Sequence, residues 1–189
     1  TVGAGDFGSD TIDGWVYDGT DLGHRRNMLD PQKFLMGIGA VPGVPGGISD
    51  EAQFFPPDRL PQAQMRDGFV AWPPSGFVPY QVVPTRWSFT LPNGDFSQAT
   101  ASMQHNGGAV TVTKLCADPT TGCTQYSGPA IIWTANVIPD GGIWPKPTAD
   151  DPFTVTVANV MVNGAPQTFN YTVTVIDPAV ADAANSITQ

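Results

Sequence analysis

From Thr85 onward apolar and polar residues alternate in short runs, and a period of two leaves little room for anything but half-buried strands. Trp87, Phe89 and Leu91 alternate with Arg86, Ser88 and Thr90, and Phe169, Tyr171, Val173 and Val175 alternate with Asn170, Thr172 and Thr174. Further runs cover Ala109 to Lys114, Ala130 to Thr134 and Phe153 to Val162. Turn signals separate them: Pro92-Asn93-Gly94-Asp95, Asn106-Gly107-Gly108 and Asn163-Gly164. Roughly six or seven strands over roughly 95 residues predict an antiparallel β-sandwich of immunoglobulin-like kind, in a mainly β chain. Helical alternatives are closed off by composition. Gly and Pro fill 40 of 189 positions, too many breakers for long helices, while 41% hydrophobic residues is too much for a disordered chain.

The first 80 residues follow other rules. Ser9-Asp-Thr-Ile-Asp-Gly-Trp15-Val-Tyr predicts a short capped helix with Ile12, Trp15 and Val16 on one face, and Lys33 to Val41 predicts a buried strand. Residues 42–68 are dense in Pro, Gly and Gln without a period and predict a long irregular loop. Such a loop is a functional segment, a linker, or a surface made for a piece that is absent. The expected organisation is a partial α/β segment over residues 1–68, the β-sandwich over 69–178 and a polar, Ala-rich tail over 179–189.

Charge excludes several partners. Sixteen Asp and one Glu oppose three Lys and five Arg, for a net charge of −9. Nucleic acid needs clustered Lys and Arg that are missing here, and an anionic membrane surface is disfavoured for the same reason. The excess of Asp over Glu places the acids in turns and caps. No apolar run approaches the eighteen or so residues of a membrane-spanning helix, so no membrane span is expected. Residue 1 is Thr, with no Met, basic region or apolar leader ahead of it, which reads as a trimmed or processed start.

Cys116 and Cys123 flank Ala-Asp-Pro-Thr-Thr-Gly, a turn able to bring the sulfurs together. A disulfide there would contribute roughly 2.5 kcal/mol on the chain-entropy model and implies an oxidising compartment. The alternative is a pair of free thiols, and zinc is disfavoured because no second Cys or His pair lies at ligand spacing.

Other chemistry is less specified. Asp6, Asp10, Asp13, Asp18 and Asp21 crowd one segment and could bind calcium, but they lack the Asp-x-Asp-x-Asp-Gly pattern, and solvated turn acids are the plainer reading. Asp140-Gly-Gly and Asp150-Asp151-Pro are similar turns. No Gly-x-Ser-x-Gly elbow, phosphate loop or dinucleotide fingerprint is present, and His105 sits beside a hairpin turn with nothing marking a Ser, His and Asp triad. Trp72, Tyr80, Trp87, Trp133 and Trp144 form either a platform for sugar or peptide or, as aromatic residues beside Pro more often do, part of a packed core. Asn170-Tyr-Thr172 is an acceptor sequon inside a strand pattern.

Gly23-His24-Arg25-Arg26-Asn27-Met28-Leu29-Asp30-Pro31, followed by Gly37-Ile38-Gly39-Ala40, resembles a signature of bacterial secreted CAP-superfamily proteins, the SCP-like relatives of cysteine-rich secretory and plant pathogenesis-related proteins. Trp15 fits the Trp that precedes the signature. The resemblance continues through Val70-Ala-Trp-Pro-Pro-Ser-Gly-Phe-Val-Pro-Tyr80, Arg86-Trp-Ser-Phe89, Asp95-Phe-Ser-Gln-Ala-Thr100 and Tyr171-Thr-Val-Thr-Val-Ile-Asp-Pro178, which are similar to the β-rich region after the CAP domain of large bacterial members. It implies an α-β-α sandwich whose cleft, in many members, holds a divalent metal on two His and two Glu. His24 matches the second His. The first His and both Glu belong to segments that would precede Thr1, and Glu51, the one Glu present, matches neither. Zinc at His24 is therefore implied only if the rest of the tetrad is supplied, and His24 as a hydrogen-bonded structural residue is the competing reading.

A CAP sandwich without its early helices would expose one sheet face, so either the N-terminal piece is present as a separate chain or the remnant is rebuilt; the expectation is a precursor cut near Thr1 whose fragments stay associated. The expected function is a secreted or cell-surface role in binding an extracellular ligand or in structure. The alternative is a metal-dependent or hydrolytic CAP activity completed around His24. A third reading starts from Thr1-Val-Gly-Ala4, which resembles the start of the mature β-chain of plant-type asparaginases and implies Thr1 as a nucleophile with its own α-amine as base. The Gly-rich continuation of that family is not evident, and an arbitrary start is the plainer reading.

Overall fold

The computed structural model describes residues 2–3, 16, 22–41, 49–54, 60–61, 63–117, 128–139, 142 and 144–180. The chain is mainly β and divides into two compact units, residues 1–70 with 125–128, and residues 71–124 with 129–189.

In the first unit β1 (Val2–Gly3), β2 (Gly37–Val41) and β3 (Ser49–Phe54) form an antiparallel sheet with β3 in the centre. One helix is described, α1 (Gly23–Met28). Leu22 enters it in the left-handed region at φ 53° and is fully buried. That conformation costs a branched residue about 1–3 kcal/mol, which burying its side chain offsets with about the same amount. Arg25 and Arg26 turn inward from α1, Arg25 Nε donating to the Val16 carbonyl and Arg26 Nη2 to the Gly128 carbonyl at 2.7 Å. After the helix, buried Asp30 closes a turn: its Oδ1 accepts from the Gln32 amide and its carbonyl from the Lys33 amide, both at 3.0 Å.

Two expectations are corrected here. The strand predicted over Lys33 to Val41 begins only at Gly37, because Gly37 pairs with Phe54, the last residue of β3. Phe34 and Leu35 are each 58% exposed and Met36 43%. The stretch 42–68, expected to be irregular throughout, contains β3, and Glu51 lies in that strand rather than in a loop. Ser-Asp-Glu-Ala-Gln-Phe has poor intrinsic strand preference, and pairing on both edges supplies what its composition withholds. Of the helix predicted from Ser9 to Tyr17 only Val16 is described, and it is helical.

The second unit is the β-sandwich that the alternation predicts. One sheet holds β4 (Val70–Trp72), β6 (Arg86–Thr90), β10 (Val112–Ala117) and β11 (Ala130–Ala135) in the order β10-β11-β6-β4. The other holds β5 (Gly76–Pro79), β8 (Thr100–His105), β9 (Gly108–Val110), β12 (Asp151–Val162) and β13 (Ala165–Ile176) in the order β5-β13-β12-β8-β9, with β7 (Gly94–Asp95) also paired to β12. All pairings in it are antiparallel except β5 with β13. Asn106-Gly107 and Asn163-Gly164 turn their hairpins with φ of 50°, 77°, 51° and 80°, the left-handed pair a two-residue turn between right-twisted strands requires.

The core is aromatic. Trp87, Trp133, Trp144 and Phe153 are buried, with Trp87 centred 6.5 Å from Trp133, 5.9 Å from Trp144 and 6.3 Å from Phe153. Trp133 Nε1 donates to Met103 Sδ across the layers at 3.3 Å. Phe89 meets Phe96, Phe169 and Tyr171 in a second cluster. Strand β11 is buried on both faces, which is why its run Ala130 to Thr134 reads as continuous rather than alternating.

Candidate functional site

A groove of about 410 Å³ lies on the second unit, lined by Asn106 and by residues 145–151. Two features build its walls. The β8–β9 turn presents Asn106, and the segment entering β12 is anchored by Trp144, whose buried ring lies 5.5 Å from Phe153. Pro145 and Pro147 stiffen that segment.

His105 stands at the edge of this groove. The antiparallel register pairs it with Phe153, and the rings stack at 4.5 Å with an interplanar angle of 10°. Its Nε2 is bonded to Asp151 Oδ1, and Asn106 Nδ2 lies 3.1 Å from the same nitrogen. A carboxylate oxygen accepts only, so in the bond to Asp151 the His105 Nε2 is the donor. Both side chains of the pair keep about a third of their surface in solvent.

On the other side Lys146 Nζ meets Asp177 Oδ2 at 2.9 Å. The Asp177 side chain is buried, and the bond from Lys146, with a second from the Ala179 amide, holds its carboxyl below the usual range. Lys146 is pushed up by the same contact. Burial alone pushes the Tyr171 hydroxyl up, away from the groove. The groove is open and presents the Asn106 amide, the Thr148 hydroxyl and the Asp150 and Asp151 carboxylates.

The residues marked by sequence fall elsewhere. His24 is on the exposed side of α1, opposite buried Arg25 and Arg26. Among the described residues no group of three or more His, Cys, Asp or Glu is placed to hold a metal. Thr1, the Asp residues from Asp6 to Asp21, Asp140 and Cys123 lie outside the described residues. Cys116 is buried at the end of β10, and no cysteine among the described residues is free. Trp87, Trp133 and Trp144 are buried in the core while Trp72 and Tyr80 are half-buried, so the five rings do not make one exposed platform. Asn170 is exposed on β13 and accepts a hydrogen bond from Thr156 Oγ1 at 2.7 Å. No helix among the described residues is long and apolar enough to cross a membrane.

Sequence reasoning found His105 at its turn but missed Asp151 as its partner. Asp151 lies 46 positions away, and only the β8–β12 register brings the two together.

No family model matches the chain, and no curated protein matches it. Among solved structures, PcoC, a methionine-rich copper resistance protein from Escherichia coli, matches with a TM-score of 0.36 and 14% identity, over 56% of this chain and 92% of that one.

Proposed function

We propose that this chain is the second part of a secreted, bacterial CAP-related protein, joined to a β-sandwich, with a role in extracellular binding or structure. The observation that carries the reading is the order of parts in the first unit. The Gly-His-Arg-Arg segment forms α1, a turn closed by Asp30 follows, and the Gly-x-Gly segment begins an antiparallel sheet strand, which is the succession the resemblance implies. Exposed Phe34, Leu35 and Met36 support a partner surface, since three adjacent large apolar side chains are costly in water. The partner in this reading is the N-terminal fragment of the same precursor. Cys116 pairs with Cys123, in keeping with the absence of free cysteine among the described residues and with an oxidising compartment.

One observation favours the metal-dependent alternative: His24 is exposed on its helix. Metal analysis of the natural material separates the two. Absence of metal and unchanged stability in His24→Ala support the binding role; stoichiometric zinc lost in that variant supports the metal centre. Intact mass of the natural protein tests the precursor, because a continuous chain through position 1 removes the separate N-terminal fragment. Thiol titration tests the cysteine pair: it should detect no thiol until a reductant is added.

A further inference from the structure

Strands β5 and β13 form the one parallel pairing among the described strands of their sheet, and along the chain β5 comes near the start of the second unit and β13 near its close. Four residue pairs join them: Gly76 with Val173, Phe77 with Thr174, Val78 with Val175 and Pro79 with Ile176. Because the two strands run the same way, tension on the chain before β5 and after β13 pulls them in opposite directions along their common axis. The bonds between parallel strands lie across that axis, so the load falls on all the pairs together and not on one at a time. Sliding would also drag Val78, 3% exposed, off fully buried Val175 and into water.

Both strands are fastened where the load would otherwise slip past them. On its other edge β13 pairs with β12 over ten residue pairs, so the shorter β5 ladder is the side that yields. Beyond β5 the chain is held by buried Val83 and by the Thr85 carbonyl, which accepts from the Ala135 amide at 3.0 Å. Past β13, Asp177 closes a turn, its Oδ1 accepting from the Ala179 amide at 3.1 Å and its carbonyl from the Val180 amide at 3.0 Å. We propose that the second unit is a tension-bearing module in which the β5–β13 ladder is the mechanical clamp. Resistance to force follows the barrier to unfolding and not the equilibrium stability, so a short ladder loaded in shear suffices.

The inference deepens the structural side of the extracellular role and rests on it, since a protein fixed at a surface and joined to a partner carries any pull between them. The test is single-molecule force spectroscopy of the full chain in two pulling directions. Handles at Ser75 and Val180 load β5 against β13 in shear. Handles at Gly108 and Val180 load the same sheet from one end, because Gly108 lies opposite His105, His105 opposite Phe153 and Asp151 opposite Val175, and the strands then peel apart pair by pair. Shear should need roughly twice the peeling force or more. Val78→Ala should lower the shear force and leave the peeling force as it was. Gly164→Ala, at the far turn of the sheet, should lower the melting midpoint but leave the shear force unchanged, because that turn is still formed when the clamp breaks. Equal forces in the two directions, a shear force untouched by Val78→Ala, or a shear force that falls with the melting midpoint in Gly164→Ala would overturn the proposal. Such failures leave the CAP relationship standing, because zinc content and intact mass test that separately.

Discussion

In the second unit Trp87 lies within 6.5 Å of Trp133, Trp144 and Phe153, and most buried side chains are apolar. Among the described residues of the first unit the fully buried side chains are Leu22 and Arg25, with Arg26 and Asp30 close behind. Apolar burial is non-directional and grows with area, so a sandwich gains from every strand that closes over it. Buried guanidinium groups are different. Each needs acceptors at the right distance, and a single missing bond leaves a charge without compensation. The aromatic unit is therefore sensitive to volume, and the polar one to individual bonds.

That contrast can be broken experimentally. Trp87→Ala removes the ring touching Trp133, Trp144 and Phe153, and should cost about 3–5 kcal/mol in urea unfolding of the second unit. A loss below 1 kcal/mol, about what one buried methylene contributes, would show that the cluster is not its core. Arg26→Ala removes the bond to the Gly128 carbonyl and should cost the first unit about 2 kcal/mol. An equally stable Arg26→Met would show instead that the side chain's packing, and not its hydrogen bond, is what matters.

Smaller effects sharpen the picture. Gly164→Ala forces a Cβ into φ 80° at the β12–β13 turn and should cost about 1 kcal/mol by thermal unfolding, with Gly164→Asn tolerated better. Lys146→Ala should have the least effect at neutral pH. Its trace is in acid: the Asp177 carboxyl is lowered in the folded state, so its contribution is full above the unfolded carboxylate range of about 3.9 and disappears as pH falls through the folded value. In Lys146→Ala the loss on acidification should be shallower, and an identical acid profile would remove the pair from the account.

Much of the sandwich was legible in the residues. Alternation over Phe169 to Val175 gave the inward face of β13, and two of the three Asn-Gly pairs gave hairpins, whereas Gly94 of the third opens β7, which pairs with β12. β3 was not legible, since Asp50, Glu51 and Gln53 oppose strand formation until neighbours on both edges pair with it. Phe34, Leu35 and Met36 read as buried strand on hydrophobicity alone, yet register leaves them outside the sheet. At the groove, His105 could be placed on its turn, whereas its bond to Asp151 depends on strands 46 positions apart.

By itself the sequence determined the class of the fold, the turns of two hairpins and the outward residues Asn170, Thr172 and Thr174 of β13. Local chemistry suffices for these: left-handed φ at Asn-Gly and a period of two along a strand. Tertiary structure decided which strands became neighbours, and with that the His105–Asp151 pair and the burial of three tryptophans. These depend on register between distant segments, which packing of the whole core sets and no single window of residues contains.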